Sequence, residues 1–304
     1  MNGITLYLLL FIVLFVFLNY HYYKQKKRDF VEKRRKEELS LDDFFYHPEQ
    51  LSKSKRRKIW VYIPLEKNAR QWESFGSRTS THLNLSVVNL CIKSIIDWCS
   101  QTYDIILFTD QDISEILKSK LDLSTFSGDV LEKQRQLYIL EILYEYGGIL
   151  LPPTLYMRNN FKKQDVLDRW YVCDQLNTSN ESTSKTLPSI VITGAPAKDP
   201  ELREYIDYLA KDPKEEYTCN YFKSKSIFTL DGSLFGMKNI LGDPVTLDDL
   251  MSDKKLKLPD YNIGLYMPCR ELLDRTLYQW FCKMSEKQVL ETHCAFSYYM
   301  LENS

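Results

Sequence analysis

Residues 3–23, GITLYLLLFIVLFVFLNYHYY, form an uncharged run of 21 positions dominated by Leu, Phe, Val and Ile. At about 1.5 Å of rise per residue, such a run matches a hydrocarbon layer of about 30 Å. The sequence therefore predicts one N-terminal transmembrane helix. A cleaved signal peptide is the rival reading, but it needs a basic leading segment, a shorter apolar core and a small-residue cleavage site. Here the run closes on Asn19, Tyr20, His21 and Tyr22. Tyr20, Tyr22 and Tyr23 are then expected at the headgroup level as an aromatic belt.

Charge fixes the expected direction of that helix. No charged side chain precedes the run, whereas Lys24, Lys26, Lys27 and Arg28 follow it directly. Residues 24–58 hold thirteen Lys/Arg against seven Asp/Glu. Basic residues concentrate on the cytosolic side of a span, so the bulk of the chain is expected in the cytosol as a single-pass membrane protein. Asp29, Glu32, Glu37 and Glu38 also allow this stretch to be a solvated helix face, which leaves the asymmetry intact. Over the whole chain the formal charge is only -1, without the basic excess of a protein that coats duplex nucleic acid. The seven cysteines are odd in number and irregularly spaced, as expected of reduced buried thiols rather than a disulfide framework. Glycosylation patterns at Asn84, Asn177 and Asn180 would matter only in a lumenal domain.

Three regions follow: an anchor over 1–23 that meets the lipid bilayer through 3–23, a basic juxtamembrane tether over 24–57, and a globular domain over 58–304. The tether carries a short helix near 41–46. In the domain, short apolar runs alternate with helical periods, which predicts an α/β architecture. Residues 58–64 (KIWVYIP) read as a buried strand stopped by proline. Thr81 is placed to cap a helix carrying Leu85, Val88, Ile92, Ile95, Ile96 and Cys99 on one face. Residues 103–108 (YDIILF) are apolar enough for a central parallel strand. A short helix at 112–119 and a long one at 129–146, ending at Gly147, lead to a strand at 149–151. Further strands are expected at 170–173, 190–193 and 227–230, with the polar loop 177–185 as the candidate for mobility. Asp199 before Pro200 marks the start of another helix. From about 269 the chain is expected to be helical, its aromatic stripe of Tyr278, Trp280, Phe281, Phe296, Tyr298 and Tyr299 lying in the core.

Residues 135–156, RQLYILEILYEYGGILLPPTLY, carry the most information about function. This stretch resembles the core of the GT-A nucleotide-sugar glycosyltransferases of the capsular-polysaccharide-synthesis and DXD-sugar-binding type. In those, an S-D-x-x-R helix leads into a Y-G-G-I-x-L strand that ends in D-x-D or D-A-T. Tyr146, Gly147, Gly148, Ile149, Leu151 and Tyr156 match. The resemblance covers about residues 58–160 and implies a GT-A-like, Rossmann-like fold: a mixed, mostly parallel sheet flanked by helices.

The same resemblance marks what has changed. In such enzymes a divalent cation offsets the diphosphate leaving group, and carboxylates at the end of a strand hold that hard ion. The metal-binding aspartates fall here on Pro152 and Thr154, the helix aspartate that contacts nucleotide on Gln136, and the helix arginine on Ile139. Proline offers neither a ligand atom on its side chain nor a backbone N–H. Gly147 and Gly148 are retained and read as structural, allowing the sharp turn from helix to strand. Four functional positions altered together on an intact scaffold predict a domain without metal-dependent transfer, with no catalytic residue, metal or cofactor.

Other chemistry-bearing residues have simpler readings. Asp110-Gln111-Asp112 is a literal D-x-D, but it follows a strand where Thr109 or an aspartate caps the next helix. Asp248-Asp249 reads as first-turn charge, and His293-Cys294 with Cys269 and Cys282 lacks zinc-site spacing. His82 has no placed partner, and Glu141 and Glu145 form a solvated pair one helical turn apart.

Two functions from different classes follow. The first is a membrane-anchored structural or tethering protein that binds a protein partner on the cytosolic side. The resemblance extends to degenerate domains of large DNA viruses, which implies a virion inner membrane or minor capsid role. The second is an active hexosyltransferase using nucleotide-sugar and a divalent metal, or one in which Arg78 or Arg158 replaces the cation. A nucleotide-sugar sensor is the third option, against which Gln136 and Ile139 count.

Overall fold

The computed structural model describes residues 41–53, 55–64, 86–120, 122–162, 168–176, 186–211 and 215–302. The apolar run 3–23, the basic segment 24–40, Arg78, Thr81, His82, Leu85, the three glycosylation patterns and the loop 177–185 lie outside the described residues. No helix among the described residues is long and apolar enough to cross a membrane.

The elements in chain order are α1 (Pro48–Lys53), β1 (Lys58–Tyr62), α2 (Ser86–Cys99), β2 (Asp104–Phe108), α3 (Asp110–Ile116), α4 (Gly128–Tyr146), β3 (Gly148–Leu151), β4 (Leu155–Met157), β5 (Tyr171–Leu176) and β6 (Thr186–Ala195). They continue with α5 (Pro200–Leu209), α6 (Glu215–Ser224), β7 (Phe228–Leu230), α7 (Leu247–Met251), β8 (Gly264–Tyr266), α8 (Cys269–Asp274), α9 (Glu286–Glu291) and α10 (Ala295–Leu301). A 3-10 helix, Leu41–Phe44, stands where the short helix ahead of β1 was expected.

Six strands form one sheet in the order β2-β1-β3-β6-β5-β7. β6 runs antiparallel to both its neighbours and the other pairings are parallel. The result is the mixed, mostly parallel, helix-flanked sheet that the sequence predicts. Alternation along the strands divides the core, because successive side chains of a strand face opposite sides of the sheet. Ile59, Val61, Ile105, Leu107, Ile149 and Leu151 face a cluster built with α2, β4, β8 and the C-terminal helices. Trp60, Ile106 and Phe108 face a second cluster built with α3, α4, α5 and α6.

Two expectations are corrected, and one small sheet was not expected. β2 is an edge strand of the six-stranded sheet. Its run is continuously apolar because both faces are covered, and the edge itself is shielded by a parallel bridge from Phe45 to Leu107 and a hydrogen bond from the Tyr46 N–H to the Leu107 carbonyl at 2.8 Å. The two-stranded antiparallel sheet of β4 and β8 had no sequence signal, since each strand is only three residues long. In the C-terminal stripe Phe281, Phe296 and Tyr299 are core, whereas Trp280 is 43% exposed.

Candidate functional site

The turn that joins α4 to β3 is dictated by its two glycines. Gly147 has φ +63° and Gly148 φ +118°, conformations that side chains rarely adopt. A Cβ on Gly148 would lie 2.4 Å from the Lys58 carbonyl oxygen, and one on Gly147 would lie 2.6 Å from the Ala197 nitrogen. The Gly147 N–H donates to the Leu143 carbonyl at 2.8 Å, and the Trp60 indole N–H donates to the Gly147 carbonyl at 2.9 Å. The Tyr146 hydroxyl donates to the Ile116 carbonyl at 2.7 Å, joining α4 to α3. These residues have the structural role the sequence assigns to them.

β3 pairs with β1 on one side and β6 on the other. Its carboxyl end therefore opens where sheets of this class place binding loops. Helix α4 runs back about 16 Å from Gly147 to Gln136, and β3 runs forward about 13 Å to Pro152. By these lengths the altered helix and corner positions both lie toward the carboxyl end of β3, α4 packing in the second cluster and the chain beyond Thr154 in the first. Gln136 is exposed there, and Ile139 is half-buried against the second cluster.

Beyond β3 the chain turns through Pro152 and Pro153, and the Leu155 N–H donates to the Pro152 carbonyl at 3.1 Å. Thr154 is only 3% exposed. Its hydroxyl donates to the Met267 carbonyl at 2.7 Å, and the Met267 N–H donates to the Thr154 carbonyl at 3.1 Å. The side chain in the position of the second metal-binding aspartate is thereby buried and joined to the backbone just beyond β8. Two prolines and a hydroxyl already engaged with a carbonyl do not fit a hard divalent cation, which takes carboxylate and carbonyl oxygens. Among the described residues, no group of three or more His, Cys, Asp and Glu side chains is placed to hold a metal ion.

A second polar cluster lies at the carboxyl ends of β1 and β2. The Tyr62 hydroxyl donates to Asp110 at 2.7 Å. Arg135, 8% exposed, donates through Nε to both Asp110 oxygens at 3.1 Å and through a terminal nitrogen to Asp110 Oδ2 at 2.7 Å. Its other terminal nitrogen donates to Glu132 at 2.6 Å. Burial works against the Arg135 charge, but hydrogen bonds and attraction from Asp110, with help from Glu132, outweigh it and raise the pKa. Burial, then the bond to Asp110, raises the Tyr62 pKa as well. The guanidinium, one carboxylate and the phenol are thus committed to one another. The sequence reading missed this cluster; its available signal was Glu132 three residues before Arg135 on a helix that faces the Asp110 turn.

The remaining candidates separate. Asp112 accepts from both the N–H and the hydroxyl of Thr109 at 2.8 Å, so the literal D-x-D splits into a helix cap and the Arg135 partner. Glu141 accepts from Arg203 at 2.9 Å and Glu145 pairs with Lys198, which ties α4 to the start of α5 and corrects the solvated-pair reading. The Arg158 guanidinium stacks 4.0 Å over the Tyr299 ring and faces Glu302 at 3.8 Å. Asp248 pairs with Arg275 and Tyr278, while Asp249 caps α7 through Thr246. His293 contacts the Tyr298 hydroxyl at 3.2 Å, and Cys294 contacts Ser297 at 3.2 Å. Cys91, Cys99, Cys173, Cys282 and Cys294 are buried and outside any disulfide.

No family model matches the chain. No curated protein matches it. Among solved structures, a PaToxG glycosyltransferase is similar over 56% of this chain and 69% of that chain, at 10% identity and a TM-score of 0.35.

Proposed function

We propose that this chain is a non-catalytic, GT-A-like domain held at a membrane by residues 3–23, with a structural or tethering role toward a protein partner on the cytosolic side. The observation that carries the reading is the Thr154 lock: the hydroxyl and backbone of Thr154 are bonded to the Met267 backbone at 2.7 and 3.1 Å. A side chain in that state cannot turn toward a ligand without breaking the join between the β3 corner and β8. The mutual commitment of Tyr62, Asp110 and Arg135 supports the same reading, because it occupies a charged donor and a carboxylate at the carboxyl ends of β1 and β2. Arg158, a candidate for replacing a cation, lies over the Tyr299 ring at 4.0 Å with Glu302 at 3.8 Å, and its Nε is buried without a hydrogen-bond partner among the described residues.

Calorimetry of the full chain with UDP- and GDP-sugars, with and without manganese, tests this. The reading predicts no heat of binding and no sugar release. Micromolar binding, with turnover lost on mutating a residue at the Pro152 edge, would defeat it in favour of an active transferase.

A further inference from the structure

The edge of the sheet opposite the Pro152 corner has a different chemistry. Where β1 and β3 begin and β6 ends, a cleft of about 270 Å³ is walled by Lys55, Arg56, Arg57 and Lys58, with Gly147, Gly148 and Asp168 among its other lining residues. That space holds several water molecules, each of which needs about 10–15 Å³ on the same measure. Four successive basic residues contribute to its wall, together with the carboxylate Asp168.

The two arginines are held in place. Arg56 pairs with Asp104 at 2.7 Å and donates to the carbonyls of Ser100 and Gln101 at 3.0 and 3.2 Å. Arg57 pairs with Asp168. Lys55 and Lys58 have no carboxylate within salt-bridge distance among the described residues. With Arg56 paired to Asp104 and Arg57 to Asp168, the uncompensated charge at this wall is that of Lys55 and Lys58, which favours anions there. The end of α4 beside the cleft carries partial negative charge, which is reduced where the Leu143 and Tyr144 carbonyls accept from the Gly147 and Lys198 N–H groups at 2.8 and 2.6 Å.

We propose that this cleft is an anion site that takes a phosphate-bearing group through Lys55 and Lys58, with Arg56 and Arg57 shaping the wall. The chemistry is shared by soluble phosphomonoesters and by anionic lipid headgroups. The site stands apart from the non-catalytic reading of the Pro152 corner and does not depend on it.

The test uses the full chain in neutral detergent at low salt. Two probes are titrated calorimetrically: glycerol 3-phosphate, and mixed micelles doped with a short-chain phosphatidic acid. Binding of glycerol 3-phosphate supports a soluble ligand, and binding of the doped micelles alone supports a headgroup. In either case the Lys55→Ala/Lys58→Ala double variant is expected to bind at least about tenfold more weakly, and added salt to weaken the wild type. Because Lys58 begins β1, Lys55→Ala alone is measured in parallel and is expected to lose part of the affinity with an unchanged melting temperature. Binding of neither probe, or equal binding by wild type and both variants, overturns the proposal.

Discussion

At position 148 a single methyl group decides whether the helix can hand over to the strand. Its Cβ would sit 2.4 Å from the Lys58 carbonyl, on a backbone at φ +118°. Strain of that kind costs about 1–3 kcal/mol before the clash is counted. Gly148→Ala is therefore expected to lose about 3 kcal/mol or more in urea denaturation, with Gly128→Ala as a control that has positive φ but open space around its Cβ. Arg135 gives a second test at this scale. Removing it strands Asp110 beside a half-buried tyrosine, so Arg135→Met is expected to cost about 2–3 kcal/mol. Adding Asp110→Asn should recover part of that loss in a double-mutant cycle. The glycines and the Asp199 cap were legible in sequence because a backbone demand selects a residue type locally; Asp199 does accept from the Leu202 N–H at 3.0 Å. Arg135 was not, because its partner lies 25 residues away and the pairing exists only once α4 has docked beside the β2 turn.

Among elements, β1, α4 and β3 were legible because their apolar periods are long or bounded by proline and glycine. The sequence could not place β2 at the edge, since an edge strand covered on both faces has the same composition as a central one. Nor could it reveal that the Pro152 corner is closed by β8, whose partner strand is more than a hundred residues away in sequence. Thr154→Val keeps the shape and removes the donor to Met267, so it is expected to cost about 1–2 kcal/mol by thermal melting. No loss would mean that the lock is not formed. Between β5 and the 3-10 helix Gly232–Phe235, Lys238 bridges Asp174 at 2.6 Å and Asp231 at 3.3 Å. Burial opposes the Asp231 charge, but donations from Ser233 and Lys238 outweigh it and hold the carboxyl below its ordinary 3.8. A depressed folded pKa stabilises the fold above the unfolded value, and that stability is lost as pH falls through the folded value. Asp231→Asn is therefore expected to flatten the loss of stability below about pH 4 in acid titrations followed by circular dichroism.

For the molecule as a whole, the sequence correctly divides the chain among α/β layers, and the two core clusters on either face of the sheet explain why so many of its thiols are buried. Burial pushes the Cys99 thiol up to about 12, and burial also raises Cys173. Both should resist iodoacetamide at pH 8 in the folded chain and react once guanidinium unfolds it, as peptide mass spectrometry would read; labelling of Cys99 without unfolding would contradict the packing of α2. The fold's two edges then carry opposite chemistry: one closed by Pro152, Pro153 and Thr154, the other open and basic at residues 55–58. The most direct measurement of the central claim is a crystal structure grown with millimolar manganese and a nucleotide-sugar donor. The account predicts that Thr154 stays bonded to Met267 and that neither ion nor diphosphate occupies that corner. Manganese bridging a diphosphate beside Pro152 would contradict it.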